Sequence, residues 1–374
     1  MTGPAEHTVQ ATLGAARAGT LRLTHGEVPT PAFMPVGTRG TVRGLTADEV
    51  RDTGATLVLA NTYHLWVRPG LPAVQALGGL HRMMAWSGPI LTDSGGYQVF
   101  SMRDRTVVRE AGVRVRSPED GEWRELGPEV AVAVQEGLGV DVAMAFDECL
   151  EHPAVRDRAA KSTSRTTRWL RRCLDARRHP ERTALFGIVQ GGMYEDLRRA
   201  HAQEITELDL DGYAIGGLSV GEDRDLLLAM TEVSAAALPA GKVRYLMGVG
   251  HPVDIVDAVA RGVDLFDCVL PTRAGRHGQA YTREGRRNLK NARYRDDPEP
   301  LEPDCPCVCC RTYARGYLRH LFHAQELLGK RLVTLHNLTF YQRLMADLQR
   351  VVRAGDADGM RALREAARVA STAA

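Results

Sequence analysis

Eight short apolar runs between Pro31 and Leu270 constrain this chain more than any other feature. They are PAFMPVG from Pro31, TLVLANT from Thr56, ILTDSGG from Ile90, VAMAFDE from Val142, FGIVQGG from Phe186, GYAIGGL from Gly212, YLMGVG from Tyr245 and LFDCVL from Leu265. Most carry consecutive apolar residues rather than strict alternation, as strands of a parallel sheet covered on both faces do. Helical patterns lie between most of them: PEVAVAVQEGL after Gly127, EDLRRAHAQEITEL after Tyr194 and PVDIVDAVARG after His251. Eight β-then-α units predict an α/β protein of the (β/α)8 TIM-barrel type, with its chemistry on the loops at the carboxyl ends of the strands. A length of 374 residues suits one such barrel with an insertion.

Those strand ends are unusual. Asn61, Asp93, Asp147, Gln190, Gly216 with Gly217, Gly250 and Asp267 would converge from different strands on one mouth. Any one of them alone is an ordinary loop-capping residue or turn glycine; the set is not. Two carboxylates at a barrel mouth, Asp93 and Asp267, suit chemistry at an anomeric carbon. One attacks C1′ of a sugar and the other moves protons, as in retaining glycosidases. An aspartate of ordinary pKa, about 4, is ionised and ready as the nucleophile, while the acid/base partner would need an upward shift from burial.

Between residues 101 and 127 the pattern changes to short β-type runs, TVVRE, VRVRS and EWREL, which read as a hairpin excursion and a candidate lid over the mouth. After Leu270 the helix expected to follow the eighth strand is delayed by a basic, cysteine-rich stretch and resumes near Leu335. Gly355 and Gly359 are expected to break the tail. The expected organisation is a barrel with an N-terminal β segment over 1–270, a basic zinc-binding subdomain over 271–336, and C-terminal helices completing the barrel over 337–374.

Cys305, Cys307 and Cys310 form C-x-C-x-x-C, and His336 follows in the segment TLHN. Three thiolates and one imidazole make a tetrahedral site suited to zinc, and with no coordination position left for water the ion would be structural. Cys309 is a spectator, since adjacent Cys309 and Cys310 can hardly both bind one ion without strain. The net charge of +2 is silent about partners. Local clustering is not: Arg273, Arg276, Arg283, Arg286, Arg287, Lys290, Arg293 and Arg295 stand against a single acid, Glu284, which is the footprint of a polyanion. A second arginine-rich stretch, Arg156 to Arg178, has helical spacing and reads as a solvated face. No apolar run approaches the roughly 20 residues of a membrane span, and MTGPAEHTVQ lacks the layout of a signal peptide, so a cytoplasmic protein is expected.

TDSGGYQVFS at Thr92, MAFDEC at Met144, FGIVQGG at Phe186, AIGGLSVGE at Ala214, YLMGVGHP at Tyr245, FDCVLPTRAGRHGQA at Phe266 and the CPCVCC and TLHN segments together resemble the bacterial tRNA-guanine transglycosylase family, from about Pro31 to about Tyr341. The resemblance implies a pentosyltransferase of queuosine biosynthesis. Guanine at wobble position 34 of GUN-anticodon tRNAs would be exchanged for 7-aminomethyl-7-deazaguanine through a covalent aspartyl-ribosyl intermediate. It also implies a homodimer and one structural Zn2+ per chain. Carried over residue by residue, Asp267 looks like the nucleophile and Asp93 like the general acid/base. The base site would comprise Asp93, Ser94, Gly95, Gly96, Tyr97, Asp147, Gln190, Gly216, Gly217, Leu218 and Met247. Asp147 and Gln190 would bond the pyrimidine edge of the base, Gly217 would supply backbone contact, and Tyr97 and Met247 would sandwich the ring.

The segments Gly248, Val249, Gly250, His251, Pro252, Val253, Asp254 and Thr272, Arg273, Ala274, Gly275, Arg276 match the family's RNA-contacting loops. Val220 resembles the bacterial choice, which leaves room for the small aminomethyl base only. Departures are Ser219 in place of a commoner alanine, the turn SPEDG, LEHP after DEC, and the extra Cys309. An archaeal-type relative acting at another tRNA position would carry further RNA-binding domains. A non-catalytic partner subunit would be expected to lack the carboxylates, and a small-molecule glycosidase would not need the basic stretch beside Asp267.

Overall fold

The computed structural model describes residues 3–96, 106–117 and 121–372. Its centre is a closed parallel barrel. We number the barrel strands β1 (Ala32–Met34, continued as Val36–Gly37), β2 (Val58–Ala60), β3 (Ile90–Thr92), β4 (Val142–Met144), β5 (Ala184–Val189), β6 (Gly212–Ile215), β7 (Val243–Leu246) and β8 (Leu265–Asp267). Each pairs in parallel with its sequence neighbour, and β8 closes on β1 with Leu265 opposite Ala32 and Asp267 opposite Met34. Pro35 interrupts β1, because it has no N–H for the ladder. All eight expected strands are present, in the expected order.

Alternation along each strand sorts the side chains. Leu59, Leu91, Met144, Phe186, Ile188, Ala214, Tyr245 and Leu265 pack together inside the barrel, while Ala143, Leu185, Val189, Tyr213, Ile215, Leu246 and Phe266 face the surrounding helices. A three-stranded antiparallel sheet, Ala5–Leu13, Ala16–Leu23 and Gly26–Thr30, precedes the barrel, and its Leu21, Leu23 and Val28 join the interior cluster. The N-terminal end of the barrel is thereby plugged.

The helices read in the sequence occur at Pro128–Leu138, Glu195–Thr206 and Pro252–Val259. The excursion is a three-stranded antiparallel sheet of Thr106–Val108, Val113–Arg116 and Trp123–Leu126; residues 101–105 and most of the SPEDG turn lie outside the described residues. After β8 come helix Leu270–Arg276, a hairpin of Gln279–Thr282 and Gly285–Asn288, and helices Val308–Thr312 and Arg315–His323. The 27-residue helix Leu327–Arg353 then fills the place of the eighth barrel helix. Its Gln342 Nε2 donates to the Phe33 carbonyl of β1 (3.0 Å), and its Tyr341 hydroxyl to the Gly250 carbonyl.

Two details differ from the sequence reading. The long helix starts at Leu327, not near Leu335, because exposed Leu327, Leu328 and Arg331 and half-buried Lys330 dilute the apolar spacing of its first turns. Gly355, at φ +63°, does end that helix, but Gly359 lies in the first turn of helix Ala357–Ser371, where its N–H is capped by Asp356 Oδ1 (2.8 Å). Among the described residues, no helix is long and apolar enough to cross a membrane.

Candidate active site

Alternation carries past the strand ends. Asn61, Asp93, Gln190, Gly216, Met247 and Asp267 each sit two residues beyond an inward-facing Leu59, Leu91, Ile188, Ala214, Tyr245 or Leu265, so the chain delivers them to the barrel mouth. There a cavity of about 290 Å³ is lined by Asn61, Asp93, Ser94, Asp147, Gly216, Gly217, Leu218, Val220, Tyr245, Met247, Gly248 and Asp267 among others. That is near the lower limit of the roughly 300–1,000 Å³ typical of small-ligand sites.

The three carboxylates are held differently. Asp93 Oδ1 accepts from the Thr62 N–H (3.1 Å) and the Gly95 N–H (3.2 Å), and Asn61 Nδ2 donates to Oδ2. Asn61 Oδ1 also caps helix Thr62–Val67 by accepting the His64 N–H at 3.0 Å, so the loop after β2 is built around Asp93. Asp267 is bound through one oxygen only. Its Oδ1 accepts from the Tyr245 hydroxyl (2.6 Å) and the Gly248 N–H (2.8 Å), while Oδ2 has no donor among the described residues. Burial pushes the Asp267 carboxyl above the ordinary range, and the bonds from Tyr245 and Gly248 oppose that. Tyr245 itself is raised well above 10 by burial, so it stays a neutral donor.

Asp147 lies between Ser94, whose hydroxyl donates to Oδ1 (2.9 Å), and Gln190, whose Nε2 donates to Oδ2 (2.8 Å). Burial outweighs both bonds and pushes its carboxyl up to about 6. Gln190 stands behind Asp147 rather than on the cavity wall, with its own N–H on His201 Nδ1 (2.8 Å). The turn after β6 needs its glycines: Gly217 is at φ +63°, and a Cβ there would lie 2.3 Å from Gln190 Oε1. Of the stacking pair, Met247 lines the cavity, while Tyr97 lies outside the described residues. Gly95 and Gly96 follow Asp93 in the same turn, where the Gly96 N–H donates to Ser94 Oγ (3.0 Å).

Several supports were not singled out in the sequence. Arg198, fully buried, donates from Nη2 to the carbonyls of Gly216 (3.0 Å) and Gly217 (3.2 Å) and from Nε to that of Gly192 (2.7 Å). Burial pushes its guanidinium down to about 10, so it remains a cation. Glu222 accepts the N–H groups of Ser219 and Val220, holding the wall where Ser219 takes φ +59°. The usable signal for Tyr245 was alternation: it is the inward residue one step before Met247. For Arg198 there was none, because helix Glu195–Thr206 reads as an ordinary charged helix.

The RNA-loop candidates divide by exposure. Val249, Gly250, Pro252, Thr272 and Gly275 are buried; Gly275 presses on helix Leu327–Arg353, where a Cβ would meet Thr334 Cα at 2.7 Å. Val253, Asp254 and Ala274 are half-buried, and Asp254 accepts from Arg224 Nε at 2.7 Å. Gly248, His251 and Arg273 are exposed and Arg276 is half-buried. Burial, with the nearby charges of Arg43 and Arg273, holds the Arg276 guanidinium below its usual range. Arg43, Arg273, Arg276 and Lys290 have no carboxylate partner among the described residues. The arginines of helix Arg156–Ala176 are different: Arg156, Arg158, Arg165, Arg168 and Arg172 pair with Asp196, Glu148, Glu110 and Glu129. That face is solvated, as its spacing suggested, and its charges are neutralised by partners from other elements.

The second cluster is metal-binding. Cys305, Cys307 and Cys310 bring their Sγ atoms to 3.6, 3.7 and 3.2 Å from His336 Nδ1, all four residues buried. Bond lengths to zinc of about 2.3 Å for sulfur and 2.0–2.1 Å for nitrogen imply a tetrahedral S···N separation of roughly 3.6 Å, so the donors fit the ion. His336 Nε2 lies 2.8 Å from the Tyr281 carbonyl, which fixes Nδ1 as the ligating atom. Cys309 is buried outside this group. With four protein donors the zinc is structural, joining the 305–310 turn to the long helix.

The model of the queuine tRNA-ribosyltransferase family matches residues 12–369. The chain is 54% identical over 340 residues to the queuine tRNA-ribosyltransferase of Pelotomaculum thermopropionicum, a span covering 91% of this chain and 92% of that one. It is 53% identical over 346 residues to that of Aromatoleum aromaticum, covering 92% and 94%. Against that of Staphylococcus aureus it is 49% identical over 348 residues, covering 93% and 92%.

Proposed function

Since the chain belongs to the queuine tRNA-ribosyltransferase family and is a tRNA-guanine transglycosylase, we propose that its cavity exchanges guanine at wobble position 34 of GUN-anticodon tRNAs for 7-aminomethyl-7-deazaguanine by double displacement. The observation that carries this reading is Asp267: a carboxylate anchored through Oδ1, with Oδ2 unengaged among the described residues, in the same cavity as Asp93 and Asp147. Oδ2 attacks C1′ of the ribose, the C1′–N9 bond breaks, and its electron pair leaves on the guanine, which takes a proton from Asp93. Guanine departs. The incoming base gives its N9 proton to Asp93, N9 attacks C1′, and the Asp267–C1′ bond breaks, restoring both carboxyl groups.

In this reading the Tyr245 hydroxyl and the Gly248 N–H stabilise the charge on Asp267 as it leaves C1′. Asp147 accepts from the ring N–H and exocyclic amine of the base, with Gln190 turning from Asp147 toward the ligand and the Gly216–Gly217 backbone supplying the remaining contacts. Met247 covers one face of the ring, and Tyr97 is assigned the other. A snug slot of this kind offsets the unstacking of the base from the anticodon loop. Val220 on the cavity wall favours the small base. Arg273, Arg276 and Lys290 contact phosphates near the exchanged nucleotide, and exposed Gly248 and His251 border the same mouth. The buried members of the two loops act by holding these in place. The enzyme works as a homodimer in the cytoplasm, over a barrel (1–270), a zinc subdomain (271–336) and C-terminal helices (337–374).

A denaturing gel of the protein mixed with a G34 anticodon stem-loop tests the chemistry. The native chain gives a covalent RNA–protein band and Asp267→Asn gives none. A band that persists in Asp267→Asn overturns the assignment of the nucleophile. Light scattering of the purified chain checks the dimer, and a monomer mass at working concentration rejects it.

A further inference from the structure

Three ligating side chains meet at the opposite end of the barrel from the cavity. Asp141 immediately precedes β4 and is fully buried; its Oδ1 lies 2.9 Å from His25 Nδ1 and its Oδ2 3.2 Å from His81 Nε2. The two imidazoles stack with centroids 3.7 Å apart and planes 24° apart, so both present a ring nitrogen to the same carboxylate. His25 sits in the turn between Ala16–Leu23 and Gly26–Thr30, and His81 in helix Leu80–Met84. Three separate elements therefore supply the three donors.

We propose that His25, His81 and Asp141 form a second site, distinct from the cysteine cluster, for an exchangeable divalent transition-metal ion such as Zn2+ or Co2+. The donor atoms all lie within 4.8 Å of one another. Metal–ligand bonds of about 2.0–2.2 Å in tetrahedral geometry call for donors roughly 3.3–3.5 Å apart. His25 Nδ1 and Asp141 Oδ1 therefore need to open by a few tenths of an ångström, while the imidazole of His81, now on Oδ2, closes on the same ion from within the 4.8 Å spread of the set. The carboxylate is already oriented: the His25 N–H donates to Oδ1 and the Ile90 N–H to Oδ2, both at 2.8 Å, leaving a lone pair on each oxygen. Neutral imidazoles bind by shifting their protons to Nε2 of His25 and Nδ1 of His81, which frees the facing nitrogens without net proton release. Two imidazoles and one carboxylate suit the later first-row divalent ions rather than Mg2+ or Ca2+.

Access also fits an exchangeable ion. The His25 side chain is 40% exposed and that of His81 16%, which leaves room for water as a fourth ligand. His25 opens on a surface cleft of about 570 Å³ also lined by Glu136 and His179. An ion here would pin the N-terminal sheet, which plugs the barrel, to the starts of β3 and β4, where barrel proteins keep their stabilising contacts.

The test is metal counting on the zinc-replete full chain. The protein is dialysed at neutral pH against excess Co2+, passed through a desalting column and analysed for zinc and cobalt. The expected result is one zinc plus one cobalt per native chain, the cobalt showing weak visible bands without thiolate-to-metal charge transfer. His25→Ala should keep its zinc and lose the cobalt. This variant removes an exposed ring and retains the backbone N–H that Asp141 needs, and its retained zinc reports that it is folded. His81→Ala should give the same pattern. A native chain that keeps no second metal overturns the site, as does a His25→Ala chain that keeps as much cobalt as the native one.

Discussion

At the residue scale, the site is three aspartates made unlike by their surroundings. Asp147 shows the cost of this arrangement most directly. Its carboxyl titrates at about 6 in the folded chain against an ordinary 3.8, so between those values the folded state binds the extra proton. The contribution of Asp147 to stability is therefore greatest below the unfolded value, declines as pH rises through about 4 to 6, and is flat above, a difference on the order of 2–3 kcal/mol for this one group. Asp147→Asn is expected to be more stable than the native chain at neutral pH and to lose this slope; thermal melts of both between pH 4 and 7 measure it, and parallel curves would refute the account. Base affinity in the native enzyme should fall as pH drops through about 6, because the protonated group can no longer accept from both donors of the base. The three aspartates were legible in the sequence because a carboxylate closing an apolar strand stands out. Their partners were less so. Asn61 was visible as a strand-end residue, but its bond to Asp93 was not, and Tyr245 reads as a core aromatic.

At the scale of elements, the turn after β6 and the zinc cluster each rest on one local requirement. Gly217→Ala would place a methyl 2.3 Å from Gln190 Oε1 at φ +63°. Strain at such a position is worth about 1–3 kcal/mol, and the displaced Gln190 would loosen Asp147. The expected outcome is a raised KM for the base with a lowered melting temperature; a variant with native KM would show that the turn has room to spare. Cys305→Ser removes a buried donor to an ion that contributes folding energy. It should lower the melting temperature by several degrees and unfasten the 305–310 turn from helix Leu327–Arg353, seen as faster amide exchange across those segments alone. Native exchange there would refute the structural role. The ligand set was legible because Cys-x-Cys-x-x-Cys with a later histidine supplies four donors suited to zinc in a compact motif. The start of the helix that carries His336 was not, since the exposed residues of its first turns mask the helical period.

At the scale of the whole molecule, charge matters by where the fold collects it. Arg43, Arg273 and Arg276 come from two distant stretches of chain and gather without a carboxylate partner among the described residues, an arrangement that repels itself until a polyanion arrives. Replacing Arg273, Arg276 and Lys290 together by alanine should weaken tRNA binding and reduce the dependence of log K on log salt by roughly 0.7–0.9 per lost phosphate contact. Filter binding over a salt series reads both, and an unchanged slope would place the RNA elsewhere. The sequence alone determined the barrel, the order of its strands, the cavity residues Asn61, Asp93, Asp147, Gly216, Gly217 and Asp267, and the zinc ligands, because each depends on local periodicity, on alternation within one strand or on a compact motif. Gln190 and Gly250, expected at the same mouth, lie off the cavity wall. Tertiary structure decided what lies between elements distant in the chain: Tyr245 on Asp267, Arg198 under the Gly216–Gly217 turn, and the pairing of the arginines of helix Arg156–Ala176. These are contacts across the barrel or between its layers, and a hydrogen bond or a desolvated charge has no signature in sequence until closure of the sheet sets the distance.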